Sequence, residues 1–220
     1  MKKKKLDIIY EDKDILVVNK KSGLLSISTD NEKERTLFHE VLNYVKMKHK
    51  KNKIFIVHRL DKDTSGVMVF AKSLEIKKTL QDNWENLALE REYVGIIEGN
   101  PPKEKDRLIN YLSETKTYLV YISDKKNGKL AITNYRKITS NNDYSLLAFN
   151  LETGRKNQIR VQMKEIAHPI VGDKKYGSTK NPLRRMALHA NKLVLIHPRT
   201  KEKLILETEV PNSFIKLLKL

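Results

Sequence analysis

The spacing of apolar residues along the chain predicts a fold of many short strands and few helices. Apolar stretches of strand length, bounded by turn residues, recur from the start of the chain. The predicted strands are residues 6–12, 14–20, 53–59, 67–72, 92–99, 117–124, 130–138 and 144–152. The dipeptide Asn127-Gly128 predicts that the strands on either side of it form a hairpin.

Helical spacing is confined to four segments. These are residues 36–50, 73–87, 157–166 and 212–220, and Thr36 and Ser73 stand where N-caps are expected for the first two. Many neighbouring strands with few intervening helices favour an α+β fold, with a mixed, mostly antiparallel sheet and flanking helices. Because no repeat or Pro/Gly-rich linker interrupts the pattern, we expect a single domain over residues 1–220, with residues 1–5 as a basic tail.

The charge balance is the most informative bulk property of the chain. Lysine and arginine number 44 against 27 aspartates and glutamates, so the formal net charge is +17. A surface this positive attracts polyanions, which favours a nucleic-acid partner. The alternative is a set of solvated lysines, and the runs at residues 2–5 and 46–53 have that character. Composition alone does not choose among nucleic acids.

Several classes of protein are excluded by what the chain lacks. No apolar run approaches the ~20 residues that a membrane helix needs, and the N-terminus has no signal-peptide pattern. The absence of cysteine excludes disulfides, thiol nucleophiles and thiolate metal sites. We therefore expect a cytoplasmic protein with no membrane partner.

The densest polar segment is residues 57–66, which lies between two predicted strands. It places His58, Arg59, Asp61, Asp63, Thr64 and Ser65 within eight positions, followed by Gly66. Loops at strand ends often carry sites, because the strands hold them rigidly. Clusters of Asp, Ser and Thr are also ordinary turn chemistry, so the pattern alone leaves both interpretations open. No known metal, phosphate-loop or serine-hydrolase motif matches this segment.

Two further segments have a polar pattern that suggests a site. In residues 152–177, Lys156, Arg160 and Lys164 recur every four residues, which on a helix makes a basic face. Tyr93 lies in a predicted strand, where a tyrosine belongs to the core more often than to a site. Neither pattern identifies a reaction by itself.

Together these segments closely resemble the RluA-type pseudouridine synthases. Residues 58–66, HRLDKDTSG, match every defined position of that family's HRLD-x-x-TSG signature. Similar motifs occupy residues 12–26, 153–162 together with 167–177, and 185–198, so the likeness extends over nearly the whole chain, from about residue 7 to 210. The chain departs from the family pattern at Lys21, which stands for the usual proline, and at Asn157 and Gln162, which stand for the usual histidines. Residues 91–95 are a slightly altered form of the family's K-x-Y-x-A stretch.

The resemblance implies the pseudouridine synthase fold, a central RNA-binding cleft and the isomerisation of uridine to pseudouridine. It implies a catalytic domain without the S4-like RNA-binding domain that many relatives carry, and a reaction that needs neither cofactor nor metal. By default we expect a monomer. Asp61 maps onto the essential carboxylate, Arg160 onto its basic partner and Tyr93 onto the tyrosine that stacks on the target base. The substrate is expected to be ribosomal RNA, tRNA or both.

The resemblance also implies a set of residues that bind the substrate. Arg59 is expected to fill the space that the extracted uridine leaves, and Leu188 to pack beneath the base. The remaining expected contacts are His58, Thr64, Arg155, Lys156 and Asn157. Two alternatives stay open: a non-catalytic RNA-binding protein on the same fold, and a metal-dependent nuclease that uses Asp61 and Asp63.

Overall fold

The computed structural model describes residues 6–29 and 32–219, and the predicted basic tail at residues 1–5 lies outside them. The chain divides into two compact units. Unit 1 comprises the residues up to Glu90 together with Ala190–Glu209, and unit 2 comprises Arg91–His189 together with the residues from Val210 on. Within the described ranges, no helix is both long and apolar enough to cross a membrane.

Unit 1 is built on an antiparallel sheet with helices on both of its faces. Its elements are β1 (Ile8–Glu11), β2 (Ile15–Lys20), α1 (Leu37–Lys48), β3 (Phe55–Ile56), β4 (Ser65–Ala71), α2 (Leu74–Asp82), α3 (Trp84–Leu87) and β11 (Lys203–Glu207), with most of β10 (Leu188–Ile196). Strand β2 pairs with β1 and β4, β3 pairs with β4, and β10 pairs with β11. The predicted caps are confirmed, because Thr36 and Ser73 each accept a hydrogen bond from the third residue of the helix that follows.

The apolar residues of β2 and β4 are continuous because both faces of these strands are covered. One face packs against α1 and the other against α2, as alternation along a strand requires. The α1 side consists of Leu16, Val18, Met68 and Phe70 against Leu37, Val41 and Val45. The α2 side consists of Ile15, Val17, Val67 and Val69 against Ile76 and Leu80.

Glu11 links three elements of unit 1 at the end of β1. Its carboxylate accepts hydrogen bonds from Tyr44 Oη and Lys48 Nζ of α1, both at 2.7 Å, and from Lys72 Nζ after β4 at 2.8 Å. Burial acts to raise the pKa of Glu11, but the hydrogen bonds from Lys48, Lys72 and Tyr44 outweigh it and lower the pKa to about 2.

Unit 2 has strands that pair antiparallel and carry an eight-residue helix. Its elements are the greater part of β5 (Ala88–Glu98), then β6 (Lys105–Glu114), β7 (Val120–Ser123), β8 (Lys129–Ser140), β9 (Tyr144–Leu151), α4 (Gln158–Glu165), a 3-10 turn (Lys174–Tyr176) and α5 (Asn212–Leu218). The strand order is β5-β9-β8-β6-β7, and every one of these pairings is antiparallel. The α+β class and the mostly antiparallel pairing are thus as predicted.

The predicted hairpin around Asn127-Gly128 is wrong. Strands β7 and β8 do not pair with each other, because β6 lies between them and pairs with both. The connecting loop crosses β6 at Tyr111, where a Cβ added to Gly128 would lie 2.8 Å from the Tyr111 Cβ. Gly128 is therefore needed for a close crossing rather than for a two-residue hairpin turn.

Two other boundaries differ from the predictions. The strand expected at residues 53–59 is reduced to Phe55–Ile56, and the chain then leaves the sheet for an irregular loop. Helix α4 begins at Gln158, so Lys156 lies in the preceding turn and is not on a helical face with Arg160 and Lys164. The basic helical stripe inferred from four-residue spacing is therefore wrong.

We expect Glu11→Gln to lower the free energy of unfolding by about 2 kcal/mol at neutral pH, because it removes a charge that three donors stabilise. The pKa of Glu11 is depressed in the folded state, so its contribution is present above about pH 4.5 and is lost as the pH falls towards 2. Denaturant unfolding of both proteins across this range measures the difference. Glu85→Gln, at an exposed position of α3, is the matched control, and a gap between wild type and Glu11→Gln that stays constant with pH would refute the assignment.

Candidate active site

The loop with the HRLD-x-x-TSG sequence connects β3 to β4 in unit 1. Asp61 is half-buried at the start of a turn, which Thr64 closes by donating its backbone N–H to the Asp61 carbonyl at 3.2 Å. Arg59 is exposed, and Thr64 is only 2% exposed. Arg59 is thus exposed to solvent two residues before the half-buried carboxylate of Asp61.

A buried lysine holds this loop in place. The Lys20 side chain is fully buried, and its ammonium group donates to the carbonyls of Lys21 at 3.0 Å, Leu24 at 2.6 Å and Lys62 at 2.8 Å. A buried charge is costly unless its hydrogen bonds are made, and here three carbonyl oxygens accept them. Because Lys62 directly follows Asp61, these bonds fix the backbone beside the carboxylate.

The segment after β2 adds three more contacts to the same loop. Ser22 Oγ donates to the Asp63 carbonyl at 2.6 Å, the Gly23 N–H donates to the Lys62 carbonyl at 3.0 Å, and Ser26 Oγ donates to the Leu60 carbonyl at 2.6 Å. Residues 60, 62 and 63 are therefore all held through their carbonyl oxygens. Lys21, the departure from the family's proline, has an exposed side chain, and its carbonyl accepts from Lys20.

Gly66 is the last residue of the HRLD-x-x-TSG motif, and no side chain fits at its position. Its φ is +119°, and an added Cβ would lie 2.1 Å from the Ala190 carbonyl oxygen in β10. Both the backbone conformation and the close approach of a neighbouring strand require glycine.

His58 is packed into the interior of unit 1. Its Nε2 accepts a hydrogen bond from the Val69 N–H at 3.1 Å, and its ring lies 4.8 Å from the Trp84 ring. These contacts give His58 a structural role after β3 ends. Its contact with the substrate stays a prediction.

Arg160 of α4 makes a bidentate ion pair within unit 2. Its Nε and one terminal nitrogen donate to the two carboxylate oxygens of Asp173, at 2.7 and 2.8 Å. The Asp173 side chain is 2% exposed and that of Arg160 is 11% exposed, so water screens the pair little. The guanidinium also lies over the Tyr176 ring, 4.8 Å from its centroid. The orientation of Arg160 is thus fixed by a fork-to-fork contact.

Glu98 fixes the loop that follows Asp173. It accepts hydrogen bonds from Ser178 Oγ at 2.6 Å and from the N–H groups of Thr179 and Lys180 at 2.9 Å. Burial acts to raise the pKa of Glu98, but these hydrogen bonds hold the pKa below its usual value.

Two buried glutamines dock α4 onto the sheet. Gln162 donates to the carbonyls of Leu108 and Ala131, both at 3.2 Å, and accepts from Thr133 Oγ1 at 2.6 Å. Gln158 donates to the Ile132 carbonyl at 3.0 Å. Gln162, where the family usually has histidine, thus belongs to the support of the helix.

The remaining predicted residues of unit 2 lie around the start of α4 and in the core. Asn157 is buried in the left-handed conformation, with φ +54°, just before α4. Arg155 is exposed, and its Nε donates to the Leu130 carbonyl at 2.9 Å. Lys156 is paired with Glu114.

Tyr93 and Leu188 belong to the same apolar cluster of unit 2. Tyr93 is half-buried and packs against the cluster, whereas Leu188 is one of its members and is 3% exposed. Gly95, two residues after Tyr93, brings β5 close enough that an added Cβ would lie 3.2 Å from Leu188 Cδ1.

The predicted site residues are therefore divided between the two units. Unit 1 holds His58, Arg59, Asp61 and Thr64, and unit 2 holds Tyr93, Arg155, Lys156, Asn157, Arg160 and Leu188. Sequence reasoning missed Lys20, Asp173 and Gln158, which support the site through partners distant in sequence. Among residues 6–29 and 32–219, no group of three or more histidines and carboxylates is arranged to hold a metal ion.

Comparison with known proteins gives consistent matches in sequence. The RNA pseudouridylate synthase family matches residues 14–165. The chain is 34% identical over 214 residues to the uncharacterized RNA pseudouridine synthase YhcT of Bacillus subtilis, covering 96% of this chain and 71% of that protein. It is also 34% identical over 227 residues to ribosomal large subunit pseudouridine synthase D of Haemophilus influenzae, covering 97% and 70%.

The fold is that of solved pseudouridine synthase structures. Human RNA pseudouridylate synthase domain containing 4 superimposes with a TM-score of 0.77 at 24% identity, covering 95% of this chain and 90% of that one. The family match, the sequence relatives and the fold agree with the resemblance that the HRLD-x-x-TSG loop carries. The chain belongs to the RNA pseudouridylate synthase family, whose reaction is the isomerisation of uridine to pseudouridine in RNA.

Proposed function

We propose that this chain converts uridine to pseudouridine in structured ribosomal RNA, tRNA or both, with Asp61 as its essential carboxylate. The observation that carries the proposal is the support of the Asp61 loop. Lys20, Ser22, Gly23 and Ser26 hold its backbone on both sides of the carboxylate. Such a fixed support is what a reacting group needs, since misplacement by ~1 Å can cost about a hundredfold in rate.

The reaction sets clear requirements for the protein. The N1–C1′ bond breaks, the uracil rotates, and a C5–C1′ bond forms, while C5 loses a proton and N1 gains one. No electrons are transferred and no group is donated, so the reaction itself calls for no cofactor. Asp61 would act by attack on C1′, by attack on the base, or by removal of a sugar proton, and each route requires an ionised carboxylate.

Arg160 is proposed as the cation that this carboxylate requires. A guanidinium already oriented by Asp173 and Tyr176 loses little freedom when it acts on a second group. Tyr93 is proposed to stack on the uracil above Leu188, and stacking on an aromatic ring contributes ~1–3 kcal/mol per base. The exposed Arg59 is proposed to occupy the space that the extracted nucleotide leaves.

The substrate class follows from charge and from the relatives. The synthases D are named for the large ribosomal subunit, which makes ribosomal RNA the first substrate to test. A net charge of +17 supports affinity for phosphates without choice of sequence. His58, Thr64, Arg155, Lys156 and Asn157 remain proposed substrate contacts, and the enzyme is proposed to act in the cytoplasm as a monomer, without a metal.

We expect Asp61→Asn to abolish pseudouridine formation and to leave the Kd for RNA within about twofold, because it removes the charge and keeps the shape. Unmodified ribosomal RNA and tRNA transcripts would be incubated with each protein in the presence of a chelator. Pseudouridine would be located by carbodiimide adducts and primer extension. Asp63→Asn, in the same loop with an exposed side chain, is the matched control and should stay active.

The outcomes of this experiment separate the alternatives. Sites made by wild type and Asp63→Asn but not by Asp61→Asn establish the chemistry and the role of Asp61. Folded wild-type protein that binds RNA but makes no pseudouridine on any transcript would favour a non-catalytic RNA-binding protein. RNA cleavage that the chelator prevents would favour the nuclease.

We expect Asp173→Asn to lower kcat by at least about tenfold, with the Kd for RNA within about twofold, because Arg160 loses the charge that orients it. Removing one partner of a buried ion pair should also lower the free energy of unfolding by roughly 3 kcal/mol. Asp143→Asn is the control, because its pair with Lys180 is largely exposed and contributes about 0–1 kcal/mol. Single-turnover kinetics and thermal unfolding measure both effects, and an unchanged kcat in Asp173→Asn would contradict this role.

We expect Lys20→Met to lower kcat by about tenfold or more and to destabilise unit 1 by roughly 3 kcal/mol, because three carbonyls lose their donor. The Kd for RNA should change little, since Lys20 is fully buried. Lys21→Met, which removes an exposed lysine next along the chain, should affect neither quantity. If Lys20→Met weakens RNA binding and leaves kcat unchanged, Lys20 does not position the Asp61 loop.

A further inference from the structure

Tyr118 is an exposed aromatic residue in a conformation that tyrosine rarely adopts. It lies in the loop between β6 and β7, about 69% of its surface is exposed, and its φ is +62°. Neither feature favours folding. A bulky side chain is strained at positive φ, and an exposed aromatic ring buries little apolar surface. Glycine would be the residue of least strain at this position.

The surrounding chain holds Tyr118 in this conformation. Its N–H donates to the Thr115 carbonyl at 3.0 Å, and the Leu119 N–H donates to Thr115 Oγ1 at 3.1 Å. Lys175 Nζ donates to the Tyr118 carbonyl at 2.9 Å from the 3-10 turn. A strained residue held from several sides is typical of functional positions rather than of simple connections.

Two lysines contact Tyr118, one at its ring and one at its backbone carbonyl. Lys156 Nζ, held by Glu114, lies 5.0 Å from the centroid of the Tyr118 ring. Lys175, whose ammonium binds the Tyr118 carbonyl, also lies 5.9 Å from the centroid of the Tyr176 ring. An exposed ring with one lysine against it and a second lysine on the backbone carbonyl of the same residue matches a nucleotide, which offers a flat base and an anionic phosphate.

These residues lie close to Arg160 within unit 2, because Arg160 lies over the same Tyr176 ring at 4.8 Å. Tyr176 is only 1% exposed and belongs to the core, so the exposed members of this group are Tyr118, Lys156 and Lys175. One exposed ring with two exposed lysines suits contact with an RNA strand.

We propose that Tyr118 is a stacking platform for an unpaired base of the RNA substrate, with Lys156 and Lys175 contacting the neighbouring phosphates. The proposal rests on the proposed function, because it takes the RNA that approaches Arg160 as its ligand. Stacking on an aromatic tolerates every base, so Tyr118 contributes affinity without selecting sequence. Tyr118 is thus a binding residue and takes no part in the reaction.

The test compares three variants by RNA affinity and by stability. The probe is a fluorescein-labelled RNA stem–loop with unpaired uridines in its loop, titrated with the full-length protein. Tyr118→Gly should raise the Kd for the stem–loop by roughly tenfold. Its Tm should equal or exceed that of wild type, because glycine relieves the backbone strain at positive φ. Tyr118→Ala should weaken binding similarly, and Tyr118→Phe, which keeps the ring, should bind within about twofold of wild type.

Tyr121→Ala, in strand β7 directly after the loop, is the matched control. Tyr121 is 44% exposed, and it alternates with Val120 and Ile122, which pack on the α4 side of the sheet, so it lies on the opposite face. Its replacement should leave the Kd unchanged. Equal loss of affinity in Tyr121→Ala and Tyr118→Ala would overturn the proposal, and so would a lower Tm with unchanged Kd in Tyr118→Gly.

Failure of this inference and failure of the proposed function give different results. If wild type makes pseudouridine and Tyr118→Gly binds the stem–loop as wild type does, the inference fails and the proposed function stands. If no protein makes pseudouridine but binding still depends on the Tyr118 ring, the proposed function fails and the RNA contact stands. At saturating RNA the single-turnover rate of Tyr118→Gly should equal that of wild type, and a loss there that more RNA does not restore would contradict a pure binding role.

Discussion

The buried ammonium of Lys20 is the constraint on which the candidate site depends. An ammonium in the interior must use its donors, and here they bind carbonyls from two chain segments, residues 21–24 and Lys62. Neither segment can shift without leaving a buried charge unsatisfied. The Asp61 loop has no regular secondary structure of its own, so it takes its rigidity from this contact and from Ser22 and Ser26.

In unit 2, different groups fix the position of the Arg160 side chain. Arg160 sits on a helix of only eight residues, which is too short to be stable alone. Gln158 and Gln162 bind the helix to the sheet, and Asp173 then orients the guanidinium. Buried ion pairs contribute little net stability compared with apolar packing, so the Arg160–Asp173 pair is better explained by orientation than by folding energy.

The predictions from sequence were right where local rules and packing agree. Strand β2, helix α1 and the caps Thr36 and Ser73 follow from apolar spacing and from short-range hydrogen bonds. Strand β6 was missed because Leu108 and Leu112 are the buried residues in a polar stretch. The wrong hairpin followed from treating Gly128 as a turn residue, whereas its role is set by Tyr111 of a strand that precedes it. The support that Lys20 and Asp173 give was missed because Lys62 and Arg160, their partners in the candidate site, are 42 and 13 residues away.

The polar groups of this protein thus divide by burial. Lys20, Asp173 and Gln162 are buried, and hydrogen bonds to other protein groups offset the cost of their desolvation and fix their geometry. Arg59, Arg155 and Tyr118 are exposed, where a side chain adds little to folding and remains able to meet a ligand. The proposed function, which extracts one base while holding an anionic strand, needs both sets. Under that proposal the buried groups govern the rate of the chemical step and the exposed groups govern the affinity for RNA, so substitutions should alter the two properties separately.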